Sequence, residues 1–325
     1  MAFPPDGLGE SPPEPFSPTY AVPIRRRFQH SWSRHVLLFL LALATTTLAG
    51  ALHYHAFVSD FGSREAGFAL RDGLWYSLTI LFILGAHEMG HYLACRRYQV
   101  DATLPYFLPF LIPFSWSLFQ TGTLGAVIRI REPFPTRTVL FDIGVAGPIA
   151  GFVVLVPALF LGLSLSEVLP LPTQGSGLSL GEPLLFQWAT ALMFGSVPEG
   201  QGLNAHPMVF AAWFGMLATA LNLLPFGQLD GGHITYATLG RLSTPISVAT
   251  VAAAVIMTFV SPSWLFMTVM MLVMLLVLGP RHPRVLYEYE PLGPGRRAIA
   301  VFALLILIVC FTPVPIEPYD LIRQP

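Results

Sequence analysis

Apolar residues in this chain run in nearly unbroken blocks, at 36–52, 75–95, 139–163, 207–227, 246–260, 264–279 and 298–312. A soluble domain buries its apolar side chains as stripes with a helical or strand period, so polar residues recur every few positions. These blocks approach the ~20 apolar residues that cross a bilayer as a helix. The chain is therefore read as an all-α polytopic membrane protein with about seven transmembrane helices. Only 11% of its residues are charged, against roughly 25% in an average soluble domain. A formal net charge of −1 offers no basic surface for nucleic acid, so the expected surroundings are the lipid bilayer and proteins embedded in it.

Two segments depart from that pattern. Residues 1–30 begin with "PPDGLGESPPEPFSP", too rich in proline and too poor in apolar runs to build a core, and are expected to form a disordered cytoplasmic tail ahead of a membrane domain at 31–325. Block 104–118, "LPYFLPFLIPFSWSL", carries three prolines, which a regular spanning helix resists. It is expected to be a re-entrant or β-like loop packed among the helices. The short run 184–194 is read as interfacial. Arg25, Arg26 and Phe28 fit part of a twin-arginine export signal, but the many spans that follow favour a basic flank on the first helix.

All 17 basic side chains are arginines. With the N-terminus inside, seven spans put 14 of them on the cytoplasmic side and leave only Arg64, Arg71 and Arg323 outside. This is the positive-inside bias of a multi-pass protein of a cytoplasmic membrane, here expected to be the bacterial inner membrane.

Against this background, "GAHEMGHYLACRR" (85–97) places ionisable groups at the inner end of a span. Such groups are costly in hydrocarbon and need a partner or a role. His87 and His91 stand four residues apart, one above the other on a helix face, where both imidazoles can hold one metal ion. The pattern H-E-x-x-H arises by chance roughly once in a hundred chains of this composition, so location and motif reinforce one another. Imidazole suits zinc, and a catalytic zinc keeps an open position for water, whose proton Glu88 is placed to take. Cys95 continues the same face but reads as a packed thiol.

A third ligand must lie at the same depth. The histidines sit 9 and 5 residues before Arg96, about 7 to 14 Å below the inner surface. Asp230, in "NLLPFGQLDGGHITY" (222–236), lies 11 residues before Arg241 and reaches a similar depth from the antiparallel direction. Glu132 and Glu182 lack that context. His233, three residues past Asp230, is read as an interfacial histidine without a role, and His206 as remote from the metal. A metal transporter or sensor using the same three ligands is the alternative, although transporters commonly line a path at several depths.

"HEMGH" in one span with "NLLPFGQLDGG" in a later one resembles the site-2 proteases, intramembrane zinc metalloproteases, over about 75–240. "GTLGAVIRIREP" and "FDIGVAGPIAG" further resemble the plant chloroplast and related bacterial members. The resemblance implies one zinc ion held by His87, His91 and Asp230, a catalytic Glu88, and an Asn222 that contacts substrate or stabilises the site. It implies cleavage of membrane-embedded substrate proteins near the cytoplasmic face, by zinc-bound water with Glu88 as general base. About 43 residues separate the third and fourth spans, too few for the PDZ domain that many bacterial members carry. Residues 245–325 are then accessory spans. Gly144, Gly147 and Gly151 read as a packing face. The β-prone run 123–130 is expected to accept unwound substrate by strand addition, with Gly125, Ala126 and Val127 at the contact.

Overall fold

In the computed structural model of the protein, residues 27–59, 69–110, 121–170, 178–279, 282–288 and 291–318 are described. The tail at 1–26 and the middle of the proline-rich block, 111–120, lie outside the described residues. Nine α-helices carry the described fold: α1 (Trp32–Ser59), α2 (Leu74–Arg97), α3 (Arg137–Ser164), α4 (Leu184–Phe194), α5 (Pro207–Leu223), α6 (Asp230–Leu239), α7 (Ser243–Val260), α8 (Trp264–Leu278) and α9 (Pro294–Cys310).

Each of the seven apolar blocks falls on one of these helices. Four helical stretches are long and apolar enough to cross a membrane: α1, α2 with the 3-10 turn before it, α3, and α6 continuing through α7. The other helices are shorter, α5 and α9 with 17 residues and α8 with 15. One difference from the sequence reading is local to Asp230. The fourth apolar block does not run on as one helix to residue 227: α5 ends at Leu223, Gly227 takes φ +51°, and Asp230 opens a new helix. Pro225 withholds the amide that would have continued α5. The bend brings a carboxylate to the first turn of α6, where the helix dipole favours negative charge.

Helices α1, α2, α3, α5 and α6 pack around one another, with Ile83, Leu140, Phe141, Leu155, Trp213 and Met216 in the core between them, while α1 joins through a small and polar face. On α1, the buried side is Ala42, Thr45, Thr46, Ala49, Gly50 and Ala51, and the exposed side includes Val36, Leu37, Leu40 and Leu41. Thr46 Oγ1 meets Ser77 Oγ of α2 at 2.6 Å, and the Thr45 hydroxyl donates to Gly122 O at 2.6 Å. Hydrocarbon offers the hydroxyls no other partner, so these bonds fix helix position. Helix α3 is capped by the Thr136 hydroxyl, which accepts from Val139 N at 3.2 Å, a contribution of about 1 kcal/mol.

The β structure lies at the ends of the helices. Strands β1 (Tyr106–Pro109) and β2 (Thr123–Val127) form an antiparallel pair between α2 and α3, with Tyr106 opposite Val127 and Leu108 opposite Gly125. Strands β3 (Glu167–Pro170) and β5 (Gln201–Asn204) pair at the opposite end, as do β4 (Leu178–Leu180) and β6 (Ile316–Pro318). Residues 27–30, assigned to the tail by composition, pack on the loop after α2. Phe28 N donates to the buried Asp101 carboxylate at 2.6 Å, and His30 Nε2 meets the Tyr92 hydroxyl at 3.1 Å. Structure therefore begins before residue 30.

Candidate metal centre

His87, Glu88 and His91 stand on α2 where it passes α3, and all three are less than a tenth exposed. The bend after α5 delivers Asp230 to the same point. His87 Nε2 lies 3.1 Å from Asp230 Oδ2, His91 Nε2 3.3 Å from Asp230 Oδ1, and the two Nε2 atoms 3.2 Å from each other. Among the described residues this is the one cluster of three metal-capable groups. A carboxylate at such a depth costs about 3 kcal/mol uncompensated, and a cation shared with the two imidazole nitrogens would answer it.

The spacing tests whether zinc fits. Zinc–nitrogen and zinc–oxygen bonds of about 2.0–2.1 Å in a tetrahedron put neighbouring donor atoms about 3.3 Å apart. The two imidazole nitrogens are 3.2 Å apart, close to that edge length, and each lies 3.1–3.3 Å from one of the two Asp230 carboxylate oxygens. Two imidazole nitrogens and one carboxylate oxygen are also a donor set that zinc accepts. The residues fit the ion, with one tetrahedral position left over.

Neighbouring groups fix the orientation of the site. His91 Nδ1 lies 2.7 Å from the carbonyl of Ile143 on α3. Donation there holds the proton on Nδ1 and leaves the Nε2 lone pair facing Asp230. Pro148 removes the amide that would have bonded Gly144 O, loosening α3 beside that carbonyl. The α3 glycines carry more than the helix packing read from sequence. A Cβ at Gly147 would fall on the His91 ring, and one at Gly151 would come within 3.1 Å of His87 Cβ. Gly90 of α2 in turn sits against the backbone of Ala146. The sequence signal was present as G-x-x-x-G from 147 to 151, but it does not say which neighbour the bare face meets.

Glu88 lies within electrostatic range of His91, His87 and Asp230, and the backbone of Ile128, one residue past β2, comes close to its carboxylate. The strand segment thus reaches the acidic group of the motif. β2 pairs only with β1, so its outer edge is unpaired among the described residues, and Leu124 and Val127 are exposed there. Gly125 adopts φ +110° with open space where a Cβ would point, while Ala126 is buried. Asn222, in the last turn of α5, places Nδ2 3.5 Å from His87 Nε2, at the limit of hydrogen-bond reach.

His233 turns from the metal cluster to the segment between α8 and α9. Its Nδ1 lies 2.6 Å from His282 Nε2, and His282 Nδ1 lies 2.6 Å from Pro283 O. Burial holds His282 below the ordinary imidazole range, against the opposing effect of that carbonyl. The neutral ring stacks on Tyr236 at 4.4 Å. This contact was invisible in sequence, where His282 is an isolated histidine 49 positions from its partner. His206 caps α5 at the opposite end, among Tyr54, Phe57 and Trp75, remote from the cluster as expected. Cys95 is buried and apolar in its surroundings, in keeping with a packed thiol.

The chain is 34% identical over 264 residues to the rice protein (Oryza sativa subsp. indica) named "Probable zinc metalloprotease EGY2, chloroplastic", covering 78% of this chain and 45% of that one. It is 31% identical over 224 residues to the Arabidopsis thaliana protein of the same name (66% and 37% covered), and 28% over 245 residues to that plant's "Probable zinc metalloprotease EGY1, chloroplastic" (72% and 42%). The matches span less than half the length of these relatives. No solved structure matches. The model of Peptidase family M50 matches residues 75–266, a stretch that runs from the start of α2 past Asp230 and holds every residue of the cluster, and the chain belongs to that family.

Proposed function

We propose that the protein is an intramembrane zinc metalloprotease that cuts membrane-embedded substrate proteins near the cytoplasmic face. The observation that carries this reading is the convergence of two imidazole nitrogens, 3.2 Å apart, on the two oxygens of one carboxylate at 3.1 and 3.3 Å, on helices that fit a bilayer, beside a glutamate. His87, His91 and Asp230 hold one zinc ion per chain. Zinc, when bound, polarises the peptide carbonyl and acidifies water. Glu88 acts as general base toward the attacking water and then returns the proton to the leaving amine. Asn222 steadies the substrate or the site from α5.

A peptide within a membrane helix is wrapped in its own hydrogen bonds, and lipid supplies no replacement. The edge of β2 at Gly125, Ala126 and Val127 offers one by strand addition, and the approach of Ile128 to Glu88 brings that edge to the base. We further propose seven spans, with α5, α8 and α9 crossing beside the four long helical stretches, and the proline-rich loop re-entering from the cytoplasmic side. The N-terminus lies on the cytoplasmic side of a bacterial cytoplasmic membrane. Arg131, Arg137 and Arg296 bond to groups around the α2 C-terminal end, which supports that orientation. Helices α2 to α6 form the catalytic core at 75–240, and the spans of 245–325 are accessory. A transport path would distribute ligating groups over several depths, whereas the described residues gather them in one cluster.

Glu88→Gln tests the reaction directly. The variant keeps zinc at the wild-type stoichiometry and loses about 10²- to 10⁴-fold in cleavage rate. Comparing membrane-released peptides from cells with wild type and variant would also identify substrate and cut site. Undiminished cleavage by Glu88→Gln would overturn the assignment, and metal flux insensitive to it would favour a transporter.

A further inference from the structure

The cytoplasmic end of the fold carries two kinds of arginine. Arg27 pairs with Glu132, Arg131 with Asp101 and Arg296 with Asp142, so each guanidinium is answered by a carboxylate. Arg34 and Arg129, like Arg96, Arg97 and Arg241, have no such answer among the described residues, and they alone of these share a cleft. Among the described residues no Asp or Glu lies within ion-pair distance of either, and both are exposed. They share a cleft of about 430 Å³ whose other walls are Leu37, Leu38 and Tyr106.

The cleft is held open by bonds that do not involve the two guanidinium groups. His35 of α1 is buried, stacks on Tyr106 at 4.1 Å and places Nδ1 3.1 Å from Pro105 O. It thereby sets the distance between α1 and the root of β1. Across the hairpin, Arg129 N donates to the Thr103 hydroxyl at 2.9 Å and Thr103 N to Arg129 O at 3.0 Å. Both walls are fixed before anything binds, so little ordering cost falls on a ligand.

We propose that this cleft binds the headgroup of an anionic phospholipid of the inner leaflet, its phosphate between Arg34 and Arg129. Guanidinium is the side chain best matched to phosphate, giving paired N–H donors in a fixed plane. The apolar wall selects a lipid over a free ion. Leu37 continues into Val36, Leu40 and Leu41, all exposed on α1, a ready track for an acyl chain. Trp32, 66% exposed at the start of the helix, marks the interfacial level at which a headgroup sits. A lipid held there bridges α1 to the segment that follows β2, at the residue next to Ile128, whose backbone comes close to Glu88. It would brace the substrate-facing edge in membranes rich in acidic lipid. The proposal rests on the membrane orientation given above but not on zinc chemistry.

The full chain, purified as Glu88→Gln so that proteolysis plays no part, is placed in nanodiscs of phosphatidylcholine. Spin-labelled phosphatidylglycerol, spin-labelled phosphatidylcholine or inorganic phosphate is then titrated in. Motionally restricted phosphatidylglycerol is expected in preference to phosphatidylcholine, with inorganic phosphate a poor competitor. Arg34→Gln or Arg129→Gln should weaken the preference roughly fivefold, and the double variant roughly thirtyfold. Arg34→Lys with Arg129→Lys, keeping the charges, should retain most of it. Equal restriction of the two lipids, displacement by inorganic phosphate at millimolar concentration, or a double Gln variant that binds like its parent would each overturn the proposal.

Discussion

Helix α2, packed among α1, α3 and α5, and helix α8, packed chiefly on α7, are both apolar, yet they spend their surfaces differently. On α2, the buried face contains Tyr76, Ser77, Ile83, His87, Glu88 and His91, and Gly90 touches the α3 backbone. On α8, Phe266, Leu276 and Val277 are more than two thirds exposed, while Met271 and Thr268 turn inward toward α7 and the bend before α6. In water the second pattern would be unstable. In a bilayer, lipid covers an exposed leucine as well as a neighbouring helix does, so packing in α8 is loosely constrained. Burial in α2 is constrained by polar chemistry, since each ionisable group needs its partner at a fixed distance. Tolerance to substitution should follow that division.

The largest expected departure is in the strand segment that serves the core. Proline at Val127 removes a backbone amide of β2 and leaves Gly125, whose φ of +110° proline cannot adopt, in place, and cleavage should fall below detection while zinc content stays at one per chain. Unchanged cleavage, followed by release of a reporter peptide, would rule out strand addition. Next comes the face of α3 that meets the ligands. Gly147→Ala puts a methyl group onto the His91 ring, and zinc affinity measured by competition with a chelating dye should fall about 10- to 100-fold. Wild-type affinity would mean that α3 can retreat, and that the contrast between the regions is weaker than drawn.

A smaller effect is expected where the two regions meet. His282→Ala removes the 2.6 Å contact with His233 and the stack on Tyr236, an expected loss of about 1–3 kcal/mol. The thermal midpoint should drop by several degrees, at about 2–4 °C per kcal/mol, with zinc stoichiometry retained. The smallest effect belongs to α8. Leu276→Ala should change stability by less than about 0.5 kcal/mol and leave both zinc and cleavage untouched, and a loss of activity there would assign α8 a role that its exposure does not suggest.

Much of this division is legible in sequence because a bilayer imposes simple rules. Block length marks the helices, and arginine placement orients them. A four-residue histidine spacing needs no tertiary information, since the helix itself sets the geometry. Asp230 was found by depth, which is again one coordinate along a helix axis. What sequence leaves out is lateral position. Nothing in "FDIGVAGPIAG" says that its glycines face His87 and His91 rather than another apolar helix. The Ile143 carbonyl and Ile128 amide are backbone groups with no residue signature at all. The bend between α5 and α6 was half visible, as Pro225 and three glycines, but its consequence, a ligand at the first turn of a fresh helix, depends on where α6 docks. The pairing of His233 with His282 depends on a return path of 49 residues.

The central claim is that His87, His91 and Asp230 together hold zinc. X-ray absorption at the zinc edge, on the purified full chain and on Asp230→Ala, tests it most directly. The account predicts one zinc per wild-type chain, bound by two imidazole nitrogens and oxygen at about 2.0–2.1 Å, and loss of the metal from the variant. A wild-type chain without zinc, or an Asp230→Ala chain that keeps the ion in the same coordination, would contradict it.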